Sequence, residues 1–233
     1  MQLSQLNAET KRELISFLSE YITENKRQKF EDVVNYRTRH ITLVLEDLYQ
    51  SHNASAVMRS CDCFGVQDVH IIENKNVFKV SKDVALGASK WLSIHKYKRT
   101  ENNTLEAFDT LRNKGYKIYA TTPQKDDMLV DEVPLEEKIA FVFGTELEGL
   151  TPIALEAADA CVKIPMYGFT ESFNISVSAA ILLYSITHRL RKSDVDWALK
   201  EEEALDIRID WARKVIKRCE VFERQFFKMK QGG

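Results

Sequence analysis

The middle of the chain alternates short apolar runs with amphipathic segments of helical period. The apolar runs are rich in β-branched and aromatic side chains, which is typical of buried strands. They occupy residues 41–45, 69–72, 116–120, 139–143 and 161–166, and residues 94–97 are a weaker candidate for an edge strand. Pro165 stops the last of these strands, because proline cannot donate to a sheet.

Helix signals lie between and around the predicted strands. Residues 8–36 contain no proline or glycine, and their apolar spacing predicts two helices that are broken near Asn25. After the first strand, residues 47–53 read as a loop, and Asn53 is a good N-cap for a helix that Gly65 ends. Further helices are predicted over residues 83–91 and 105–113, from Thr151 and Pro152 onward, from residues 172–180 to 189–192, and, as one or two long helices, after Asp194.

This alternation of strands and helices predicts an α/β fold with a mostly parallel sheet and helices on both faces. Two strand ends followed by glycine-containing turns fall close together, after residues 139–143 and after residues 161–166. Ligands of open α/β sheets bind at the carboxyl ends of strands. The stretch from Ile139 to Leu190 is therefore the first place to expect a site.

Composition excludes several classes of protein. The chain has 233 residues and is 44% hydrophobic, enough for a sizeable core, but no apolar run reaches membrane-spanning length. The N-terminus lacks the basic-then-apolar pattern of a signal peptide, and the four cysteines show no zinc spacing. We expect a cytoplasmic protein with reduced thiols, no metal and no membrane partner.

Overall charge gives little indication of a partner, since the net charge is −2 and the isoelectric point is near 6.3. Local basic runs at residues 26–29, 96–99 and 189–192 are more suggestive, although such runs are often only solvated helix faces. The loop after the first strand has no glycine, and the chain contains neither G-x-G-x-x-G nor G-x-x-x-x-G-K-[ST]. A dinucleotide site in the first turn is therefore not expected.

Three segments carry a more specific pattern. They are residues 53–59 (NASAVMR), residues 143–149 (FGTELEG), and residues 164–166 (IPM) followed by 172–176 (SFNIS). In this combination and order they resemble the three motifs of the SpoU/TrmH branch of the SPOUT RNA methyltransferases. The resemblance covers roughly residues 41–191, and it is strong because each motif has a sensible strand context.

The resemblance implies a C-terminal trefoil knot that binds S-adenosylmethionine (AdoMet), and a homodimer whose active site is shared between chains. It implies methyl transfer to a ribose 2′-hydroxyl of RNA, and the helical extensions favour a D-loop guanosine of tRNA. The domains implied are residues 1–38, a helical RNA-binding extension; residues 39–192, the methyltransferase domain; and residues 193–233, a second helical extension.

Family roles can be assigned to matching positions. Arg59 matches the arginine at the reacting ribose, and Asn53 begins the same motif. Glu146 matches the glutamate of motif two, and Ser172 and Asn174 match the pair near the cofactor and the catalytic arginine. The cofactor contacts implied are Thr121, Thr122, Gly144, Glu146, Ile164, Met166, Ser172 and Phe173. For RNA binding we select Lys26, Lys29, Arg37, Arg189 and Arg191.

The chemistry leaves the proton acceptor open. A ribose hydroxyl must lose its proton while it attacks a sulfonium methyl group in line, so the protein mainly positions the partners. Family proposals make Arg59 the base, yet a guanidinium is normally protonated at all accessible pH. Arg59 instead suits a phosphate contact and the stabilisation of the developing oxyanion, with the proton leaving to phosphate or water.

Each of these residues also has a purely structural interpretation. Asn53 is a candidate helix cap, Arg59 a candidate surface arginine, Glu146 a candidate turn residue, and Ser172 and Asn174 are candidate caps of the last core helix. Three other functions remain open on the sequence: 2′-O-methylation of ribosomal RNA by the same fold, a non-catalytic RNA-binding relative, and a doubly wound nucleotide-binding regulator.

Overall fold

The computed structural model describes residues 3–78, 87–100, 102–123 and 128–231. The chain divides into two compact units, one formed by Thr38–Trp197 and the other by Met1–Arg37 together with Ala198–Gly233. No helix in the described ranges is long and apolar enough to cross a membrane.

The larger unit is built on a parallel sheet of seven strands in the described residues, in the order β3-β2-β1-β6-β4-β7-β5. The strands are β1 Ile41–Glu46, β2 Asp68–Ile72, β3 Ser93–Tyr97, β4 Tyr116–Thr121, β5 Met128–Leu129, β6 Lys138–Phe143 and β7 Ala160–Lys163. The prediction of a mostly parallel sheet is confirmed, with β3 at one edge. The two-residue β5 at the other edge was not predicted, because so short a segment has no periodicity.

Helices cover both faces of the sheet. They are α3 Ser51–Phe64, α4 Asn103–Asn113, α5 Pro152–Ala157 and α6 Ile175–Leu190, with 3₁₀ turns at Ala88–Lys90 and Val130–Glu132. Leu43 and Phe141 share one core with residues of α3 and α6, whereas Val44 and Val142 share the other with residues of α4 and α5. This alternation along the strands is the consequence of the two-residue period of a strand, and it confirms the prediction of helices on both faces.

Two helix boundaries differ from those predicted. Helix α3 begins at Ser51, after an extended Gln50, so Asn53 lies within the first turn and is not the N-cap. Gly65 does end this helix, in the left-handed conformation (φ 79°) that favours glycine. Of the helix predicted over residues 83–91, residues 83–86 lie outside the described residues, and Ala88–Lys90 forms a 3₁₀ turn.

In its described residues, the smaller unit contains helices and no strand. They are a 3₁₀ turn at Leu3–Gln5, α1 Ala8–Ser19, α2 Glu24–Val34, α7 Glu201–Val215 and α8 Cys219–Gln231. The break between α1 and α2 falls before Glu24, and an extended Thr23 precedes α2, so the predicted break near Asn25 was slightly late. Lys11 pairs with Asp206 at 2.8 Å, which joins α1 to α7 within this unit.

Candidate active site

A cavity of about 730 Å³ opens at the carboxyl ends of β4, β6 and β7. Its walls come from the turn after β4 (residues 121–123), the turn after β6 (143–150), Leu155 of α5, the end of β7 with the segment that follows it, and three side chains of α6, Ile175, Ser178 and Leu182. Parallel strands end at one edge of the sheet, which is why three turns far apart in the sequence meet here. The volume lies in the usual range for a small-molecule site.

All eight residues expected to contact a cofactor line this cavity. They are Thr121, Thr122, Gly144, Glu146, Ile164, Met166, Ser172 and Phe173. Thr121 donates its hydroxyl proton to the carbonyl oxygen of Val142 at 2.7 Å, which ties the turn after β4 to the end of β6. The geometry therefore brings this set together. Asn174 lines the cavity as well, whereas Asn53 and Arg59 are not among the described residues that form its wall.

Asn53 joins the three motifs through its side-chain amide. Its Nδ2 donates to Glu146 Oε1 at 2.6 Å and, more weakly, to Gln50 Oε1 at 3.3 Å. Its Oδ1 accepts a hydrogen bond from Asn174 Nδ2 at 3.1 Å. An amide that both donates and accepts fits this position, because its two partners present a carboxylate on one side and an amide N–H on the other. Asn53 is buried, so these bonds fix its orientation.

Asn174 has a structural and a site-building role at once. It is the N-cap of α6, and its Oδ1 accepts from the backbone N–H of Ser176 at 2.9 Å. Its Nδ2 is left for Asn53, as described above. Ser172 lies two residues before this cap and lines the cavity, so the interpretation of Ser172 as a helix cap was wrong.

The turn after β6 is closed on itself. Thr145 and Gly149 exchange two backbone hydrogen bonds, of 2.9 and 3.1 Å. A Cβ atom on Gly144 would lie 2.1 Å from the carbonyl carbon and oxygen of Gly149, a distance that atoms do not tolerate. Only glycine at position 144 therefore lets the chain cross itself here and form the cavity wall.

Glu46 is a residue that the sequence interpretation missed. It ends β1, is 1% exposed, and accepts hydrogen bonds at Oε1 from the hydroxyls of Thr104 (2.6 Å) and Thr151 (2.9 Å) and at Oε2 from the backbone N–H of Thr151 (2.9 Å). Thr151 is the N-cap of α5 and directly follows the cavity wall. A carboxylate at the end of an otherwise apolar strand was the available signal, because such groups are buried only when they are bonded.

Arg59 lies apart from this network. It is exposed on α3, six residues after Asn53, which places the two side chains about 120° apart around the helix axis. Within the part of the chain that the structure describes, no hydrogen bond or ion pair of its guanidinium is found. The side chain is therefore available to a partner outside this chain.

The five residues selected for RNA binding are two exposed lysines and three arginines that contact other residues of this chain. Lys26 and Lys29 are exposed on α2. Arg37 is 2% exposed, with its guanidinium over the ring of Trp211 at 5.5 Å, so it cannot contact RNA in this conformation. Arg189 and Arg191 lie on and just after α6. Arg189 donates to the carbonyl oxygens of Val130 and Val133, and Arg191 donates to that of Phe64 and lies over Trp197.

Most of the strongest pKa shifts belong to a polar cluster on β2 and β3 and not to the cavity. Burial, aided by the neighbouring His95, lowers the pKa of His70 to about 3. His70 Nδ1 lies 2.8 Å from the hydroxyl of Tyr97, whose pKa burial raises to about 12. Asp68 bonds His95 and pairs with Arg39, and these contacts outweigh burial and hold the pKa of its carboxyl below the usual range. No metal-binding group of three or more ligands occurs among the described residues.

Comparison with known proteins gives consistent results. Residues 40–184 match the model of the "SpoU rRNA Methylase family". The chain is 45% identical over 209 residues to a Borreliella burgdorferi protein named "tRNA (guanosine(18)-2'-O)-methyltransferase", covering 90% of this chain and 94% of that one. A Thermus thermophilus protein of the same name is 33% identical and covers 82% and 98%. A crystal structure of the A. aeolicus "TrmH/SpoU tRNA modifying enzyme" superposes with a TM-score of 0.73 at 30% identity, covering 83% and 98%.

Proposed function

This chain belongs to the SpoU rRNA methylase family, and we propose that it is an AdoMet-dependent tRNA (guanosine-2′-O-)-methyltransferase. The relatives that support the tRNA substrate carry that name and align along most of their length. The observation that carries the proposal is the hydrogen-bonded set Asn53–Glu146–Asn174, which joins one residue from each of the three motifs beside the cavity.

The cavity fits AdoMet in size and in chemistry. Glycine at 144 allows the backbone of residues 143–150 to form a wall. In a wall of this kind, backbone N–H and C=O groups that the turn itself does not use would hydrogen-bond an adenine edge without charged side chains. Thr121, Ile164, Met166 and Phe173 supply further wall. Glu146 offers a carboxylate to the positive end of the ligand. When bound, AdoMet supplies a methyl group already activated on a sulfonium centre. Family membership also implies the trefoil knot in the chain around this site.

The residues around the cavity position the reacting groups. Asn53 holds the carboxylate of Glu146, and Asn174 holds Asn53, so the three side chains behave as one unit. Ser172, two residues before Asn174 in the chain, lines the cavity and is placed to hydrogen-bond the cofactor or the ribose. Because methyl transfer needs an in-line approach, fixed orientation accounts for most of the rate enhancement expected of this site.

We assign Arg59 an electrostatic role. Its exposed guanidinium suits a phosphate oxygen beside the target ribose, and it would stabilise the oxyanion that develops on the 2′-oxygen. A permanently charged guanidinium is a poor proton acceptor, so the 2′-hydroxyl proton leaves to phosphate or water. This role requires Arg59 to meet the cavity of a second copy, because it does not line the cavity of its own chain.

A homodimer follows from the same requirement. Helix α6 leaves Val177 and Tyr184 exposed, and these side chains offer apolar area for a second copy. Lys26 and Lys29 are the exposed basic side chains that we assign to tRNA phosphates, and the assignment predicts strong salt dependence. We also propose that the enzyme works in the cytoplasm, where it would meet a tRNA substrate.

The testing experiment is methyl transfer from labelled AdoMet to unmodified tRNA and, separately, to ribosomal RNA, followed by nuclease digestion. We expect 2′-O-methylguanosine from tRNA alone. Methyl groups in ribosomal RNA alone would mean that the substrate is ribosomal RNA and that the reaction is still 2′-O-methylation. Binding of AdoMet without transfer to either RNA would instead indicate a non-catalytic relative, and failure to bind AdoMet would contradict the whole assignment.

A further inference from the structure

The segment between β7 and α6 exposes two aromatic rings beside the cavity. Tyr167 is 96% exposed, and Phe169, two residues later, is fully exposed while it also lines the cavity. Leu147, from the turn after β6, is likewise exposed and lines the same cavity. Exposed apolar side chains that cluster at the opening of a site mark an interaction surface more often than isolated ones do.

We propose that Phe169 and Tyr167 form a stacking platform for bases of the substrate RNA, with Phe169 under the target base and Tyr167 under a flanking base. This inference rests on the proposed function. The methyl group must reach a ribose 2′-oxygen at the cavity, so the base on that same ribose has to lie within one nucleotide of the opening. Phe169 is the aromatic side chain that lines the cavity and is fully exposed.

The charge of the opening favours a base over a phosphate. Glu146, Glu148 and Glu171 line the same cavity, whereas Lys163 is its one basic residue among those described. Carboxylates repel the RNA backbone but tolerate a neutral base face. Aromatic side chains recognise unstacked RNA bases by stacking on them, with little dependence on base identity. The platform therefore holds the nucleotide in place, and selection of guanosine is left to polar groups.

The decisive experiment separates three binding events in each variant. We would compare Phe169→Ala, Tyr167→Ala and Phe169→Tyr, with Leu105→Ala as a control that removes exposed apolar surface from α4. For each protein we would measure the KM for unmodified tRNA at saturating AdoMet, the Kd for AdoMet by calorimetry, and the molar mass by light scattering.

We expect Phe169→Ala to raise the KM for tRNA about tenfold, since stacking contributes roughly five- to 150-fold per base. The Kd for AdoMet and the molar mass should stay within error, and Phe169→Tyr and Leu105→Ala should resemble the parent. Tyr167→Ala should have a smaller effect in the same direction.

Three results would overturn the platform. An unchanged KM for tRNA in both alanine variants would remove it outright. A parallel rise in the Kd for AdoMet would make Phe169 part of the cofactor wall, and a fall in molar mass would make the rings a contact between two copies. If the parent protein methylated no tRNA at all, the proposed function would fail first, and that outcome is visible before any variant is made.

Discussion

The amide nitrogen of Asn53 lies 2.6 Å from a carboxylate oxygen of Glu146, although 93 residues separate them in the chain. Asn53 is in the first turn of α3, and Glu146 is in the turn after β6. Their strands, β1 and β6, are neighbours in the sheet, so their carboxyl ends bring the two residues together. The bond is charge-assisted, and it fixes the Glu146 carboxylate against the cavity.

Replacing Asn53 by aspartate should therefore disable the site. Asn53→Asp removes the N–H donor and sets a second carboxylate against Glu146, so we expect the kcat for tRNA methylation to fall about 100-fold, the usual cost of a misplaced catalytic group. Steady-state kinetics with circular dichroism as a folding check would measure this. Asn53→Gln, which keeps the amide, is the matched control, and a kcat of Asn53→Asp equal to that of the parent would show that the amide does not organise the site.

Glu46 should support the cavity from outside it. Glu46→Gln would put an amide NH₂ or a weaker acceptor opposite the N–H and hydroxyl of Thr151, with an expected loss of about 1–3 kcal/mol in the free energy of unfolding. The Kd for AdoMet should rise, because Thr151 anchors the end of the cavity wall. Urea titration and calorimetry give the two quantities. Thr104→Ser keeps the hydroxyl that donates to Glu46 and should leave the Kd for AdoMet unchanged.

Gly144 should tolerate no side chain. Gly144→Ala places a Cβ atom 2.1 Å from the backbone of Gly149, so we expect the turn to open, with an AdoMet Kd at least tenfold higher and a lower Tm. Gly168→Ala is the control, since a Cβ there meets nothing nearer than 4.0 Å. Similar behaviour of the two variants in calorimetry and thermal unfolding would contradict the close crossing.

Arg59 should matter for transfer and not for folding. Its side chain is exposed, so Arg59→Ala should leave the Tm within about 1 °C and the Kd for AdoMet unchanged while transfer to tRNA is abolished. Cys63→Ala, one turn later on the same helix and also exposed, is the control and should remain active. Equal losses of stability and activity would make Arg59 a structural residue.

Light scattering of the parent at micromolar concentration would test the dimer, and a monomer would refute it.

His70 should make the protein less stable in acid. Its pKa is about 3 in the folded chain and 6.5 when unperturbed, so below pH 6.5 the unfolded chain binds a proton that the folded chain does not. The free energy of unfolding should fall by up to about 1.4 kcal/mol per pH unit as the pH drops from 6.5 towards 3, and no such loss occurs above 6.5. Denaturant titrations of the parent and His70→Gln between pH 7 and 4.5 should show the shallower slope in the variant. Parallel slopes would mean that His70 is protonated in the folded protein. His40, whose pKa is also lowered by burial, contributes equally to both slopes.

Local patterns were sufficient for most of the fold. Runs such as residues 139–143 are apolar because β6 is covered on both faces, so composition alone identified the strand. Thr151 and Pro152 begin α5 as predicted, since capping is decided within one turn. The prediction that Asn53 is an N-cap was wrong because the bonds of this side chain are not local. Its side chain caps nothing locally, because it is committed to Glu146 and Asn174, which no sequence window contains.

The site, like the fold, was predictable where local patterns decide it and not where distant residues pack together. Motif order indicated which turns would meet, but burial of Arg37 and the two carbonyl bonds of Arg189 depend on packing that a charge run does not reveal. Glu46 was missed because, in the sequence, one carboxylate at a strand end looks the same as a side chain that points into solvent. Its meaning comes from Thr104 and Thr151, 58 and 105 residues further along the chain.

The wall of the cavity is completed late in the chain, and this has a consequence for biosynthesis. The first strand of the sheet is already complete at Glu46. The cavity, in contrast, also needs Ser178 and Leu182 of α6, more than 130 residues later in the chain. Chains are synthesised from the N-terminus and domains fold as they emerge. A nascent chain that stops short of α6 therefore has most of the sheet but an incomplete cavity wall, so we expect full ligand affinity only after α6 has been synthesised and packed.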